Sequence, residues 1–221
     1  MRRLLIASAG CSALFLFYAA APPLLDARYA VIFEVAATGL LAVMAAVATP
    51  RRKLLIAALG FSACGDFLLD IQRLGPLGPK QLFLCGLISF LVAHLFYVAM
   101  FVRQRTTTVS VARKTACVAV LAVALISLRV LWPSLGEMEV PVVVYSVVLS
   151  TMAIAAQLSV FPAMVAVGAL SFVVSDTMLA MSIFGHPFRG SWWLVWVTYY
   201  AAQAMIAVGV TGAKRTPEKP S

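Results

Sequence analysis

Residues 53–71 read KLLIAALGFSACGDFLLDI, and no charged residue separates Lys53 from Asp66. The run matches the ~20 residues that a helix needs to cross the hydrocarbon core of a bilayer. Asp66 stands 13 residues beyond Lys53, about 20 Å along a helix that rises ~1.5 Å per residue. An ionised carboxylate costs several kcal/mol at such a depth, so an intramembrane aspartate faces a bundle interior and serves a function. A second run repeats the pattern: residues 168–180, GALSFVVSDTMLA, carry Asp176. Each aspartate follows a small residue (Gly65, Ser175) and precedes a leucine three positions on (Leu69, Leu179).

The rest of the chain reads the same way. It has 221 residues, of which 63% are hydrophobic and 11% charged, against about 25% charged in a soluble domain. Apolar runs at approximately 4–22, 29–49, 53–71, 81–102, 113–132, 140–158, 161–184 and 192–212 predict eight spans. The weakest boundary lies at Ser159–Pro162, where only four residues separate the neighbouring apolar runs. The expected architecture is all-α: one transmembrane bundle of eight helices over 1–212, followed by a polar tail over 213–221. The basic start and apolar core of residues 1–20 resemble a signal peptide, and Cys11 after Ser8-Ala9-Gly10 faintly suggests a lipoprotein site. The apolar run continues well past Cys11, so a retained first helix is expected.

The net charge of +9 is a matter of topology, not of nucleic-acid binding. Alternate loops collect Arg2, Arg3, Arg51, Arg52, Lys53, Arg103, Arg105, Arg113, Lys114, Lys214, Arg215 and Lys219, twelve in all. The other side receives four, Arg28, Arg73, Lys80 and Arg189, while Arg129 lies within a span. Basic loops stay on the cytoplasmic side, so both termini are expected there, in a multi-pass protein of a bacterial inner membrane. The four cysteines, Cys11, Cys64, Cys85 and Cys117, fall in apolar runs without CxxC spacing. They read as small buried residues, and neither a disulfide framework nor a metal site is expected.

The candidate site residues follow from depth. Asp176 stands 15 residues beyond Phe161, roughly 22 Å along the seventh span. Glu34 descends from the outer edge to a similar layer. Two carboxylates in one dry cavity do not both ionise easily, which leaves an acid beside a base. Asp70 shares a helix face with Asp66 but sits at the helix end, where a solvated role is expected. His94 and Tyr97 are three apart on one face of the fourth span, some 10 Å lower by helical rise, where an interhelical hydrogen bond is the commoner role. In the last span Tyr199 and Tyr200 are four and three residues before Gln203. Tyr200 and Gln203 are expected to line the cavity, whereas Trp192, Trp193 and Trp196 read as an interfacial belt. Arg129 is one candidate partner for Glu34.

Taken in order, GDFLLD, FLCGLISFLVAHLFYVAMF, GALSFVVSDTMLA and TYYAAQAMI resemble the YhhN family of membrane lysoplasmalogenases. The resemblance covers roughly residues 60–210 and rests on Gly65-Asp66, His94 with Tyr97, Ser175-Asp176, and Tyr199-Tyr200 with Gln203. It implies a bundle of about eight helices and hydrolysis of the vinyl ether bond of lysoplasmalogens. The products are a fatty aldehyde and glycerophosphoethanolamine or glycerophosphocholine. Asp66 and Asp176 would then be the catalytic pair, with Tyr199, Tyr200, Gln203, His94, Tyr97 and Glu34 in substrate binding. The implied partners are a lysophospholipid and the bilayer; no cofactor or metal is implied. One departure stands out: the family pattern has a lysine early in the second span, where this chain reads VIFEVAATG with Glu34. The rival reading is a proton-coupled transporter that uses the buried carboxylates as an ion path. Against it, no span is broken at mid-depth by paired Gly and Pro.

Overall fold

A computed structural model of the chain describes residues 1–20, 27–49, 52–71 and 79–213. They form α1 (Arg2–Ala20), α2 (Ala27–Ala48), α3 (Lys53–Ile71), α4 (Pro79–Val102), α5 (Val111–Leu135), α6 (Glu139–Gln157), α7 (Ala163–Ile183) and α8 (Ser191–Gly212). A short 3-10 turn, Gly136–Met138, joins α5 to α6. The expected tail beyond Ala213 and the loop bearing Arg73 lie outside the described residues.

Leu, Ala and Met favour helix throughout these runs, and the sequence marks several ends. Pro79 opens α4, where its missing N–H costs nothing. The Ser110 hydroxyl caps α5 by accepting from the Arg113 amide. Gly190 precedes α8 with φ of 80°, a left-handed conformation that glycine adopts without strain.

Among the described residues, six stretches are long and apolar enough to cross a membrane. They are Tyr29–Ala48, Lys53–Ile71, Gln81–Val102, Val111–Gln157, Ala163–Ile183 and Ser191–Gly212. The fifth and sixth expected spans lie together in the 47-residue stretch Val111–Gln157. That stretch turns back on itself at Gly136 (φ 51°), since α5 packs against α6. The count of eight crossings and the side on which the termini lie go beyond these six stretches.

Successive packing joins α2 to α3, α3 to α4, α4 to α6, α6 to α7, α7 to α8 and α8 back to α2. The result is a closed ring, with α1 against α2 and α5 against α6 and α7. Small residues let the backbones approach, as is usual where lipid supplies no hydrophobic drive between helices. A Cβ on Gly168 would stand 3.0 Å from the Ala202 carbonyl oxygen, and one on Gly209 would stand 2.5 Å from Val165. The periphery is apolar: Val118, Leu121, Leu125 and Ile126 of α5 are all at least half exposed.

One end of the bundle gathers the basic loops. Arg113 donates to the carbonyls of Gln157 (3.1 Å), Ser159 (2.8 Å) and Phe161 (2.9 Å). These bonds explain why so short a linker suffices between α6 and α7. The α4–α5 loop pairs with the same linker through Thr106 N–H to Leu158 O and Val160 N–H to Gln104 O, both 2.8 Å. Arg52 donates to the Ala213 carbonyl at 3.1 Å and lies over the Phe161 ring. The α2–α3 turn, the α4–α5 loop, the α6–α7 turn and the end of α8 therefore share one end.

The cysteines depart from expectation. Cys64 and Cys85 are exposed at the bundle surface and Cys11 and Cys117 are half-buried, all as free thiols. An apolar run has no solvent-facing side to betray which face points inward.

Candidate active site

A cavity of about 550 Å³ occupies the half of the bundle away from the Arg113 end. Its walls obey a simple rule. Odd-numbered helices contribute their C-terminal halves: Phe15, Asp66 to Asp70, Ala124 to Leu131, and Val173 to Phe184. Even-numbered helices contribute mainly their N-terminal halves: Ala30 and Glu34, Phe83 to Phe90, Val142 to Ser150, and Ser191 to Tyr199. Helices that alternate in direction past one common layer produce this pattern, and the depth argument placed the aspartates in such a layer.

Asp66 and Asp176 both line the cavity. Glu34 and Asp70 line it too, and no Lys or Arg does among the described residues. Asp70 is only 6% exposed, so it is not the solvated helix-end residue that its position suggested; the end of α3 is tucked into the cavity wall.

Each of the two deep aspartates accepts a phenol. The Tyr199 hydroxyl donates to Asp66 Oδ2 at 3.0 Å, and the Tyr145 hydroxyl donates to Asp176 Oδ2 at 2.5 Å. Behind Tyr199 the chain of bonds continues: Gln203 Nε2 donates to the Tyr199 oxygen at 3.2 Å, and Tyr97 donates to Gln203 Oε1 at 2.6 Å. Gln203 and Tyr97 are buried outside the cavity lining. They reach the site through Tyr199, and Gln203 is not the cavity-lining residue expected. Thr38 of α2 lies beside both Asp66 and Tyr199.

His94 is also behind the wall. Its Nδ1 donates to the Phe90 carbonyl at 2.6 Å, and its ring meets Phe172 and Tyr145 edge-on at 4.7 and 5.4 Å. It meets the site through two wall residues, Phe90 and Tyr145. Tyr200 turns away altogether: its hydroxyl bonds Ser8 Oγ at 2.8 Å, on the α1 side. One residue of offset on α8, about 100° of turn, separates it from Tyr199.

Two further residues corrected or escaped the sequence reading. Trp196, expected in an interfacial belt, is 4% exposed, lines the cavity and donates to Ser12 Oγ at 3.0 Å. Trp192 and Trp193 are exposed, as belt residues are. Tyr145 was missed. Its signal was its isolation, a single phenol beside one serine in the aliphatic VPVVVYSVVL of α6.

Comparison with known proteins agrees with the motif order. Residues 29–210 match the YhhN family. The chain is 33% identical over 190 residues to the lysoplasmalogenases of Mycobacterium bovis and Mycobacterium tuberculosis, covering 83% of this chain and 71% of theirs. It is 30% identical over 185 residues to the human lysoplasmalogenase TMEM86A, covering 77% of this chain and 70% of that protein. No solved structure matches it significantly. With most of its length matched and relatives alike over more than two thirds of their own, the chain belongs to the YhhN family.

Proposed function

We propose that this protein hydrolyses the vinyl ether bond of a lysoplasmalogen, releasing a fatty aldehyde and a glycerophospho-headgroup, with Asp66 and Asp176 as acid and base. The observation that carries the reading is the meeting of both aspartates, each bonded to a tyrosine, in one chamber. The names of the relatives support the substrate class.

The chemistry suits the residues. One carboxylic acid gives its proton to the vinyl carbon distant from the ether oxygen, and an oxocarbenium ion forms. Water adds to that ion while the second aspartate takes a proton from it. The hemiacetal then collapses: the first aspartate, now ionised, removes the hydroxyl proton, and the second returns its proton to the departing glycerol oxygen. Both groups end as they began. The logic is that of a glycosidase, and general acid–base assistance of this kind contributes ~10²–10⁴-fold in rate. A chamber of 550 Å³ falls within the ~300–1,000 Å³ common for ligand sites. Its apolar walls leave the single tail of a lysolipid in surroundings like the bilayer.

We place the chain in a bacterial inner membrane with eight crossings, both termini in the cytoplasm, and the chamber in the outer half. The basic asymmetry of the loops and the alternating halves of the helices support this. The transporter alternative calls for a path across the whole bundle, whereas the cavity is lined by residues of one half of the bundle.

The test is aldehyde release by detergent-purified protein from a panel of lysolipids bearing vinyl ether, alkyl ether or acyl chains. Release from the vinyl ethers alone is expected. Turnover that requires a sealed vesicle, or release from none of the panel, overturns the reading.

A further inference from the structure

The two aspartates differ in what stands behind their tyrosines. Tyr145 has one hydrogen-bond partner among the described residues, Asp176, and its ring lines the chamber. Its hydroxyl can therefore turn toward the chamber contents when Asp176 carries a proton and donates in its turn. Tyr199 has no such freedom. Its oxygen accepts from Gln203 Nε2, so its hydrogen goes to Asp66. The Gln203 amide is oriented by Tyr97, whose hydroxyl is fully buried and gives its hydrogen to Gln203 Oε1.

The orientation of a glutamine amide is settled by its bonding network, and here only one polarity closes. If the amide flips, Nε2 faces the Tyr97 oxygen, and the Tyr97 hydrogen is left with no acceptor among the described residues. Tyr199 then donates to Oε1, and Asp66 needs a proton of its own to bond the Tyr199 oxygen. A buried donor without an acceptor is disfavoured, so the chain runs from Tyr97 through Gln203 and Tyr199 into Asp66 Oδ2, which is held as an acceptor.

Building on the proposed hydrolysis, we propose that Asp66 is the base that deprotonates the attacking water, and that Asp176, released from such a constraint, is the acid that protonates the vinyl carbon. Tyr97 and Gln203 are positioning residues: they touch no substrate and act on Asp66 through Tyr199. Tyr145 is the partner that lets Asp176 pass between its two protonation states.

Chemical rescue tests the assignment. Azide attacks an oxocarbenium ion without surrendering a proton, so it replaces water and base together. It forms a C–N bond to the carbon that water would have attacked, the acid having supplied the proton to the neighbouring carbon; solvent then reprotonates the acid. Removing a carboxylate leaves both space and one negative charge fewer for the anion. The substrate is lysoplasmenylethanolamine in detergent, and the readout is loss of vinyl ether. Azide is expected to accelerate Asp66→Ala by at least ~10-fold, a fraction of the ~10²–10⁴ that a lost base represents, and to leave Asp176→Ala unchanged. Asp66→Ser, which also leaves space, provides the same comparison if Asp66→Ala does not fold.

Tyr97→Phe and Gln203→Met are expected to lower kcat by about 10-fold at unchanged KM, less than the ~10²–10⁴ of losing the base itself. A purely structural role would lower the folded fraction or raise KM and leave kcat per folded molecule unchanged. Rescue of Asp176→Ala in place of Asp66→Ala reverses the assignment. Rescue of neither, or full kcat in folded Tyr97→Phe, overturns it while wild-type hydrolysis stands. Absence of wild-type aldehyde release instead defeats the hydrolase reading, and the assignment with it.

Discussion

Gly65 immediately precedes Asp66, and an alanine there is expected to damage the site through packing alone. A Cβ at Gly65 would stand 2.6 Å from Phe90 Cδ2 and Cε2 and 3.0 Å from Cζ. Carbon atoms rest at about 3.5–4.0 Å, so the Phe90 ring must retreat by roughly 1 Å. It has little room. Its edge packs on Tyr199 with centroids 5.8 Å apart, and Tyr199 is held in turn by Phe172 at 5.4 Å and Trp196 at 5.6 Å. The displacement therefore reaches the phenol that bonds Asp66. Overpacking of this kind costs about 1–3 kcal/mol, and a 1 Å misplacement near reacting groups costs up to ~10²-fold in rate. Thermal unfolding and aldehyde release in detergent measure the two effects, and both are expected to fall in Gly65→Ala. Gly60→Ala is the control: nothing lies within 4 Å of its Cβ, and little change is expected beyond the ~1 kcal/mol gain in helix propensity. Adding Phe90→Leu should return much of the lost stability. Normal stability and turnover in Gly65→Ala, or no relief from Phe90→Leu, would refute the reasoning.

Other expectations are more local. Arg113→Met removes three bonds to carbonyls; with ~1.5–3 kcal/mol for a bond from a charged group, the melting temperature should fall clearly. The folded fraction should keep its turnover, because the chamber lies at the other end. Asp70→Asn should reduce turnover far less than Asp66→Asn; a larger loss would move the catalytic role to the other carboxylate on that face of α3. A C-terminal reporter active only outside the cytoplasm should stay silent, and activity there would contradict the proposed topology.

Much of the fold was legible because membrane helices announce themselves by length and composition. Basic loops broke the apolar runs within a few residues of the observed ends, and Asp66 and Asp176 stood out because carboxylates are costly in hydrocarbon. Facing could not be read. In a soluble helix the polar side marks the outside, but α4, α6 and α8 are apolar all round, so nothing in the sequence set Tyr199 toward Asp66 and Tyr200 toward Ser8. Trp196 failed in the same way: tryptophan suits a membrane interface, and only the packing of α8 against Phe15 and Ser12 shows that it points inward. Tyr145 was hidden for another reason. A lone tyrosine carries no spacing, and its meaning comes from Asp176, 31 residues away in the chain. The relay from Tyr97 to Asp66 joins three helices that no local pattern connects.

The central claim is that two carboxylates in one chamber perform the hydrolysis. It is tested most directly by turnover of a vinyl-ether lysolipid by purified, folded Asp66→Asn and Asp176→Asn, each compared with the unmodified protein. Amide and carboxyl are nearly isosteric, and each retains an oxygen that can accept from its tyrosine, so folding should survive. Each substitution is expected to lower aldehyde release by at least ~100-fold, the scale of lost acid or base assistance. Near-normal release by either folded variant would make that aspartate structural and contradict two-carboxylate catalysis.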